Sequence, residues 1–227
     1  MNNEVLENEA IEDNSLSINI KKVFYLFIKR LFDIIAGLIG VILLIPITII
    51  IKIAYMITGD FHSIFFVQER IGYKGRLIKI FKYRSMIPNA EEKLEELMKK
   101  DKKIKKEYLE NKKLENDPRV TKLGSLIRKL SIDELPQFIN VLIGNMSLVG
   151  PRPYLPREQK DMGKYYDYVI SSKPGLTGLW QVSGRNDVSF KERLKLDEEY
   201  FNKKSLLFDI KIFFKTFIVV LFRKGAK

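Results

Sequence analysis

The chain has 227 residues with 40 Lys and Arg against 28 Asp and Glu, so its formal net charge is +12. It contains no cysteine and a single histidine, His62. This excludes a disulfide scaffold, a thiolate metal site and a cysteine nucleophile, and leaves any chemistry to carboxylates, Lys, Arg, Ser or Tyr. A hydrophobic fraction of 46% is too high for a wholly disordered chain. So basic a chain is typical of proteins that bind nucleic acid, anionic lipid or a phosphorylated substrate.

The first 19 residues differ in charge from the rest of the chain. They hold five acidic residues and no Lys or Arg, which predicts a disordered acidic tail over residues 1–19. An acidic start also argues against a signal peptide, whose first region is basic.

Residues 20–58 contain the most apolar stretch and form the second predicted unit. Residues 34–51 carry no charge, and as a helix they are about 27 Å long, close to the roughly 30 Å hydrocarbon core of a bilayer. Pro46 interrupts the stretch, and basic residues flank both of its ends. Because the positive-inside rule assigns both flanks to the cytoplasm, the pattern favours a re-entrant helix that bends at Pro46. An ordinary single span and a buried helix of a soluble domain are the alternatives.

Three charged residues, Lys29, Arg30 and Asp33, open the apolar stretch. Arg30 and Asp33 are three residues apart on one helical face, so we expect them to pair at the membrane interface. Lys29 is assigned to the same interfacial group.

Residues 59–227 form the third predicted unit, a domain on the cytoplasmic face. Two β-rich runs around Gly72 and Gly75 predict a β-hairpin over residues 64–84. Periodicity and charge predict four helices: one charged helix over 89–116, one over 121–129, one that starts near Ser131 and one over 188–204. We expect the glycine-rich residues 173–186 to form a loop, and GPRP at 150–153 to form an irregular turn.

Near the C-terminus, residues 206–222 carry only Asp209, Lys211 and Lys215 as charges. This pattern predicts an amphipathic helix lying in the membrane interface, with packing against the domain core as the alternative. The expected fold class is therefore α+β and mostly helical. It combines a re-entrant N-terminal membrane helix, a small β-hairpin and amphipathic interfacial helices around a cytoplasmic catalytic core.

The adjacent acids Asp133 and Glu134 are the leading candidates for chemistry. Ser131 and Glu134 fit a capping box, so the two acids could simply begin a helix. The same position suits a nucleophile, because a helix N-terminus favours negative charge and would keep Asp133 ionised. A carboxylate can attack phosphorus to form an acyl phosphate, with Glu134 as the neighbouring acid or base.

A phosphoryl substrate would require cations around these acids. The candidates are Lys82, Arg84, Arg128, Arg152 and Arg185. Arginine offers a bidentate fork to phosphate oxygens, although each of these residues taken alone is more typical of a surface charge. A divalent ion, expected to be Mg²⁺, would help neutralise a diphosphate, with the Asp133 carboxylate as its protein ligand.

The chain resembles the bacterial sugar transferase family, the small monotopic phosphoglycosyl transferases. Four stretches carry the resemblance. They are Lys29-Arg30-x-x-Asp33, ERIGYKGRLIKIFKYRSM at 69–86, DPRVTKLGSLIRKLSIDELPQFINVLIGNMSLVGPRP at 117–153, and KPGLTGLWQVSGRN at 173–186. The combination of SIDELPQ with SLVGPRP is the most specific part.

The resemblance implies transfer of a sugar-1-phosphate from a UDP-sugar to undecaprenyl phosphate, with release of UMP. It implies that Asp133 is the nucleophile, that Glu134 is its partner and that Mg²⁺ is required. It also implies a re-entrant helix broken at Pro46, although Ile45 stands where the family often has Ser. The implied location is the cytoplasmic face of the bacterial inner membrane, where such enzymes initiate capsule, O-antigen or glycoprotein glycan assembly.

A different class of function would also suit the charge. A basic, membrane-anchored module could bind a polyanion without catalysis, and its affinity would fall steeply with salt. Against nucleic acid as that partner, the charged segment 89–116 mixes both signs and has few aromatic residues to stack on bases. An inactive scaffold is a third alternative, which the presence of the Asp-Glu pair and the arginines disfavours.

Overall fold

A computed structural model describes residues 2–112, 114–184 and 188–222. Within these ranges the chain is mostly helical. The helices are α1 (Asn2–Ile57), α2 (Ala90–Lys100), α3 (Lys102–Asn111), α4 (Lys122–Lys129), α5 (Gln137–Ile143), α6 (Gln159–Met162), α7 (Tyr166–Ile170), α8 (Leu179–Ser183), α9 (Phe190–Lys203) and α10 (Leu206–Leu221). The strands are β1 (Phe65–Ile71), β2 (Leu77–Tyr83), β3 (Ser147–Val149) and β4 (Gly175–Thr177).

The long helix α1 includes the apolar stretch. Its segment Ile20–Ile57 is long and apolar enough to cross a membrane, by length and composition. Leu38, Ile42 and Ile45 are among the large apolar side chains that it exposes. The helix runs through Pro46, so the bend and return to one face stay a prediction. The boundaries of the three predicted units, with a disordered tail over 1–19, also stay predictions.

Charged side chains near the start of this stretch bind the rest of the protein. Arg30 donates to the carbonyl oxygens of Val141 and Leu142, each over 2.8 Å, near the end of α5. The Asp33 carboxylate accepts hydrogen bonds from the Ser147 hydroxyl and the Leu148 N–H. The predicted Arg30–Asp33 pair is therefore wrong, because the two side chains bind different elements. They join α1 to α5 and β3.

The hairpin is confirmed. Strands β1 and β2 pair antiparallel, from Phe65 opposite Tyr83 to Ile71 opposite Leu77. Because side chains alternate along a strand, Gln68, Arg70 and Lys82 project from one face of the hairpin.

The glycine-rich segment 173–186 is more ordered than expected. Its residues Gly175–Thr177 form β4, which pairs parallel with β3, and α8 follows. This pairing needs two glycines, because a Cβ on Gly175 would lie 2.2 Å from the Gly150 nitrogen. The predicted loop is therefore wrong over these two elements, while an irregular turn does follow β3 at GPRP.

The charged segment 89–116 is two helices rather than the predicted one. Asp101 between them has an extended backbone, and its carboxylate accepts the N–H groups of Lys103 and Ile104. It therefore caps α3 and ends the helical run that charge and periodicity suggested. The helices predicted over 121–129 and 188–204 are confirmed as α4 and α9, with Thr121 and Ser189 as their capping residues.

The C-terminal helix α10 presents two different faces. Asp209, Ile212 and Val219 are buried against the domain, whereas Leu207, Phe214, Phe217 and Ile218 are exposed. The predicted amphipathic helix is confirmed as an element, and it packs on the core by its inner face. Its position in the membrane interface stays a prediction.

Candidate active site

A cleft of about 960 Å³ lies between the hairpin, the α2–α3 pair, the segment that follows α4, and α8. Four of the five predicted cations line it: Lys82, Arg84, Arg128 and Arg152. Asp133 and Glu134 line it too. The fifth cation, Arg185, lies outside the described residues. The cleft thus brings the two acids together with basic groups from three distant parts of the sequence.

The two acids lie on a short 3-10 turn, Ile132–Glu134, and not on the expected helix. Ser131 adopts a left-handed conformation with φ 57°, and its N–H donates to the Arg128 carbonyl oxygen over 2.9 Å. It therefore closes α4 instead of capping the next helix, and the predicted capping box is wrong. The following helix α5 begins only at Gln137, after Pro136.

Burial controls the ionisation of Asp133. It raises the pKa of this carboxyl to about 6, and the neighbouring Glu134 adds to the rise, against the opposing charges of Lys82 and Arg128. The expected helix-terminus effect is wrong, because a three-residue turn has almost no dipole. A pKa of about 6 still leaves most of the Asp133 carboxyl ionised at pH 7.

The neighbouring Glu134 pairs with the hairpin. The Lys82 ammonium lies 3.2 Å from Glu134 Oε1, and both side chains keep part of their surface in the cleft. Glu134 is thereby held on the hairpin side of Asp133. The two acids consequently have different surroundings: Glu134 is paired with Lys82, whereas the pKa of Asp133 is raised by burial and by Glu134.

Arg84 and Arg128, which both line the cleft, differ in what they bind. The Arg84 guanidinium donates to the Ser63 and Met86 carbonyl oxygens and to Asp60, and it stacks on the Tyr55 ring. Most of its donors are therefore committed within the protein. Among the described residues, the Arg128 side chain donates only from Nε to the Ser85 hydroxyl, over 2.9 Å, so its terminal nitrogens are better placed to reach a substrate.

Two arginines that line the cleft lie against one tryptophan ring. The Arg152 guanidinium lies 4.9 Å from the centre of the Trp180 ring, and the Arg193 guanidinium lies 5.2 Å from it. Both distances are within the range of cation–π attraction, which favours keeping each guanidinium against the ring. Arg152 is thus held at the cleft by aromatic packing as well as by its two flanking prolines.

The sequence model of one family, described as Bacterial sugar transferase, matches residues 24–223. The chain belongs to the bacterial sugar transferase family. The match confirms the resemblance found in the four motifs, and it includes the long apolar helix, the cleft and both acids.

Curated relatives agree with this family. The chain is 46% identical over 211 residues to a UDP-galactose-lipid carrier transferase of Erwinia amylovora, covering 93% of this chain and 44% of the relative. It is 45% identical over 208 residues to an undecaprenyl-phosphate galactose phosphotransferase of Salmonella typhimurium, covering 92% and 43%. It is 41% identical over 198 residues to the exopolysaccharide production protein ExoY of Sinorhizobium fredii, covering 87% of each chain. The chain spans less than half the length of the first two relatives.

Several residues of the sugar transferase cleft were not identified from the sequence. Arg70 lines it from β1, and Trp180 and Arg193 line it from α8 and α9. Arg119 pairs with Asp117 at 2.6 Å and donates to the Ala90 carbonyl oxygen, which ties the wall to the start of α2. The alternation of β1 with β2 could have indicated Arg70, since it projects from the same hairpin face as Lys82.

The acidic side chains of the cleft can be compared with the ligands that the expected Mg²⁺ would need. Within the ranges that the structure describes, no group of three or more His, Cys, Asp or Glu side chains could hold an ion. Mg²⁺ is commonly held by one or two carboxylates together with substrate phosphates and water. Asp133 and Glu134 provide such carboxylates in an open cleft, so the residues fit an ion shared with a diphosphate substrate. The requirement for Mg²⁺ stays a prediction.

Proposed function

We propose that this protein transfers a sugar-1-phosphate from a UDP-sugar to undecaprenyl phosphate through a covalent intermediate on Asp133. The observation that carries the proposal is a half-buried carboxylate, Asp133, which is near Lys82 and Arg128 in a large cleft that Arg152 also lines. Cations and a carboxylate nucleophile are what phosphoryl transfer uses. The names of the Erwinia and Salmonella relatives specify a lipid carrier and undecaprenyl phosphate.

In the first step, an Asp133 oxygen attacks the phosphorus that bears the sugar. The new O–P bond forms an aspartyl phosphosugar, the P–O bond to UMP breaks, and UMP leaves with the electron pair. Burial assists this attack, because a carboxylate that is poorly solvated is the better nucleophile. Its neighbours Lys82 and Arg128 keep the carboxyl ionised at neutral pH by opposing the effect of burial.

In the second step, a phosphate oxygen of the lipid attacks the same phosphorus and Asp133 departs as a carboxylate. The product is a polyprenyl diphosphate sugar. Glu134 takes the proton if the attacking phosphate is protonated, and its pairing with Lys82 holds it in position for this. One cleft serves both substrates in turn, because the covalent intermediate means that they need not be bound together.

The cations stabilise charge on the phosphoryl oxygens during both steps. Arg128 and Arg152 suit this role. The hydrogen bond to Ser85 orients Arg128, and the contact with the Trp180 ring orients Arg152, and neither contact uses all the donors of its guanidinium. Mg²⁺ would be held by Asp133 with Glu134 nearby and would neutralise part of the diphosphate charge.

The acceptor lipid requires the cleft to lie at a membrane. We propose that Ile20–Ile57 enters the bilayer, bends at Pro46 and returns, with α10 in the interface. The exposed apolar side chains of both helices support this arrangement. The enzyme would then lie on the cytoplasmic face of the bacterial inner membrane. There it would catalyse the first step in the assembly of capsule or another surface glycan.

The test is UMP release from a panel of UDP-sugars, with undecaprenyl phosphate and Mg²⁺, by wild type and the Asp133→Asn variant. We expect UMP from one or more donors in the wild type, and a loss of more than about 10³-fold in the variant. Asp167→Asn, an exposed acid on α7, is the matched control and should retain full activity. Retained activity in Asp133→Asn would disprove the covalent mechanism. Salt-dependent polyanion binding without UMP release would support the binding module instead.

A further inference from the structure

A small recess lies beside the main cleft. It has a volume of about 10 Å³ and is lined by residues that include Arg70, Lys82, Glu134, Gln137 and Arg152. All of these except Gln137 also line the cleft, so the two spaces adjoin. Such a volume admits a single oxygen-sized atom. The occupant is therefore one atom of a larger group in the cleft, or one water molecule.

Unpartnered polar atoms concentrate at this recess. Among the residues that the structure describes, buried side-chain atoms without a hydrogen-bonding partner include Arg70 Nε, Gln137 Nε2 and Gln181 Oε1, and all three side chains line the recess. Gln137 is 2% exposed and Arg70 is 7% exposed. Buried polar groups normally have partners, so a cluster of exceptions indicates a ligand that supplies them.

The charged side chains around the recess indicate whether its ligand is anionic or neutral. Arg70, Lys82 and Arg152 are cationic, and Glu134 is the acid among these residues, with Lys82 already paired to it. Burial and the nearby Arg152 lower the pKa of Arg70 to about 10, which reflects mutual repulsion that an anion would relieve. Rotation of the Gln181 amide would turn its NH₂ group toward the same space. An anionic oxygen fits this setting better than a neutral water molecule.

We propose that the recess is an oxyanion subsite that receives one non-bridging oxygen of the phosphoryl group under transfer, with Gln137 and Arg70 as its donors. The inference rests on the proposed function and names the part of the same site that binds this oxygen. Glu134 lines both spaces, so the subsite adjoins the acid pair from which attack occurs. Hydrogen-bond donors that face an oxygen on which negative charge develops stabilise the transition state more than the bound substrate. They therefore lower the activation barrier.

Gln137 is the residue to change, because a role in the subsite and a role in packing predict different results. Loss of a subsite donor lowers the rate alone, whereas loss of packing lowers the rate and the thermal stability together. Replacing an unpartnered buried amide by leucine should leave the midpoint of thermal unfolding unchanged or raise it. We expect Gln137→Leu to lower kcat for UMP release about 10²- to 10³-fold, with a smaller change in KM for the UDP-sugar. Gln137→Glu should lose more activity than Gln137→Leu, because its carboxylate repels the phosphoryl oxygen.

The experiment measures both quantities in the full chain, with UDP-sugar, undecaprenyl phosphate and Mg²⁺. Gln159→Leu, an exposed residue at the start of α6, is the matched control and should match wild type in rate and unfolding. Full activity in Gln137→Leu would overturn the subsite and identify the occupant as water. Parallel losses of rate and thermal stability would overturn it too, since they indicate a packing role. Absence of UMP release by wild type would instead refute the proposed function.

Discussion

The Lys29 ammonium and the Asp209 carboxylate lie 2.5 Å apart and join the N-terminal helix α1 to the C-terminal helix α10. Lys29 also donates to the Val149 carbonyl oxygen, and the Tyr200 hydroxyl donates to the other carboxylate oxygen of Asp209. The predicted interfacial lysine is thus part of a largely enclosed network. The network links the apolar helix to the C-terminal end of β3. The GPRP turn, which contains Arg152, follows directly along the chain.

Removing one partner of this pair should destabilise the protein strongly. Lys29→Met leaves Asp209 enclosed without its cation, and we expect a loss of about 3 kcal/mol or more in the free energy of unfolding. The Lys203–Glu199 pair on α9 is a matched control, since it has a similar separation of 2.8 Å but side chains that are 61% and 43% exposed. Lys203→Met should cost less than about 1 kcal/mol. Thermal unfolding in detergent or nanodiscs measures both, and equal losses would contradict the assignment.

The packing of α1 on α5 leads to a second prediction. A Cβ on Gly40 would lie 2.2 Å from the Phe138 ring, so the two helices approach at a site that has no room for a side chain. Alanine normally stabilises a helix interior by about 1 kcal/mol over glycine. We nevertheless expect Gly40→Ala to lower the stability by about 1–3 kcal/mol, because the overlap forces Phe138 to move.

The control for this change lies on the same helix. Leu38 is 52% exposed, and Leu38→Ala should alter the unfolding midpoint little in detergent because it removes few packing contacts. If Gly40→Ala proved as stable as wild type, α1 and α5 would have to be less closely packed than described.

The elements that could be predicted from the sequence have local signals. The hairpin follows from β-rich runs around Gly72 and Gly75, and α4 agrees with the helix predicted over residues 121–129. By contrast, the β3–β4 pair joins Ser147 to Gly175, and no local pattern specifies that contact. The break at Asp101 was also missed, because a single capping side chain outweighed the charge pattern of a longer helix.

The residues of the site likewise divide into those with a local sequence signal and those whose role depends on contacts between distant parts of the chain. Motifs were sufficient to identify Asp133, Lys82 and Arg152, all of which line the cleft. They could not indicate that Gln137 is buried with an unpartnered amide, because burial depends on the hairpin packing over α5. The short turn that carries Asp133 likewise depends on Ser131 closing α4, which a capping-box pattern does not reveal.

Substitutions of the two cleft arginines Arg84 and Arg128 should separate effects on stability from effects on activity. Arg84 donates to two carbonyl oxygens and to Asp60, so we expect Arg84→Lys to lower the free energy of unfolding by about 1–3 kcal/mol. Within the part of the chain that the structure describes, the Arg128 side chain donates only to the Ser85 hydroxyl. We expect Arg128→Lys to unfold near the wild-type temperature but to release UMP at least about 10-fold more slowly. The two variants serve as controls for each other, and the reverse pattern would exchange the roles assigned to these arginines.

The buried acid Asp197 should make the stability of the protein depend on pH. Its side chain is 1% exposed, and it accepts the Tyr154 hydroxyl over 2.7 Å. Burial raises the pKa of this carboxyl to about 7, well above the roughly 3.9 of an unfolded chain. The native state therefore binds this proton more tightly than the unfolded state, so the contribution of Asp197 to stability is greatest at low pH. It falls as the pH rises through the interval from about 4 to about 7.

An asparagine at this position cannot ionise, and its amide oxygen can still accept the Tyr154 hydroxyl. We expect the stability of Asp197→Asn relative to wild type to rise by more than about 1 kcal/mol between pH 5 and pH 8, because only the wild type loses stability as its native carboxyl ionises in that interval. Denaturant unfolding of the two proteins in the same detergent at both pH values measures the difference. The comparison at pH 5 is the internal control for any loss of packing in the variant. A difference that is the same at pH 5 and pH 8 would mean that the Asp197 carboxyl keeps its charge when buried, stabilised by Arg152 and Arg193.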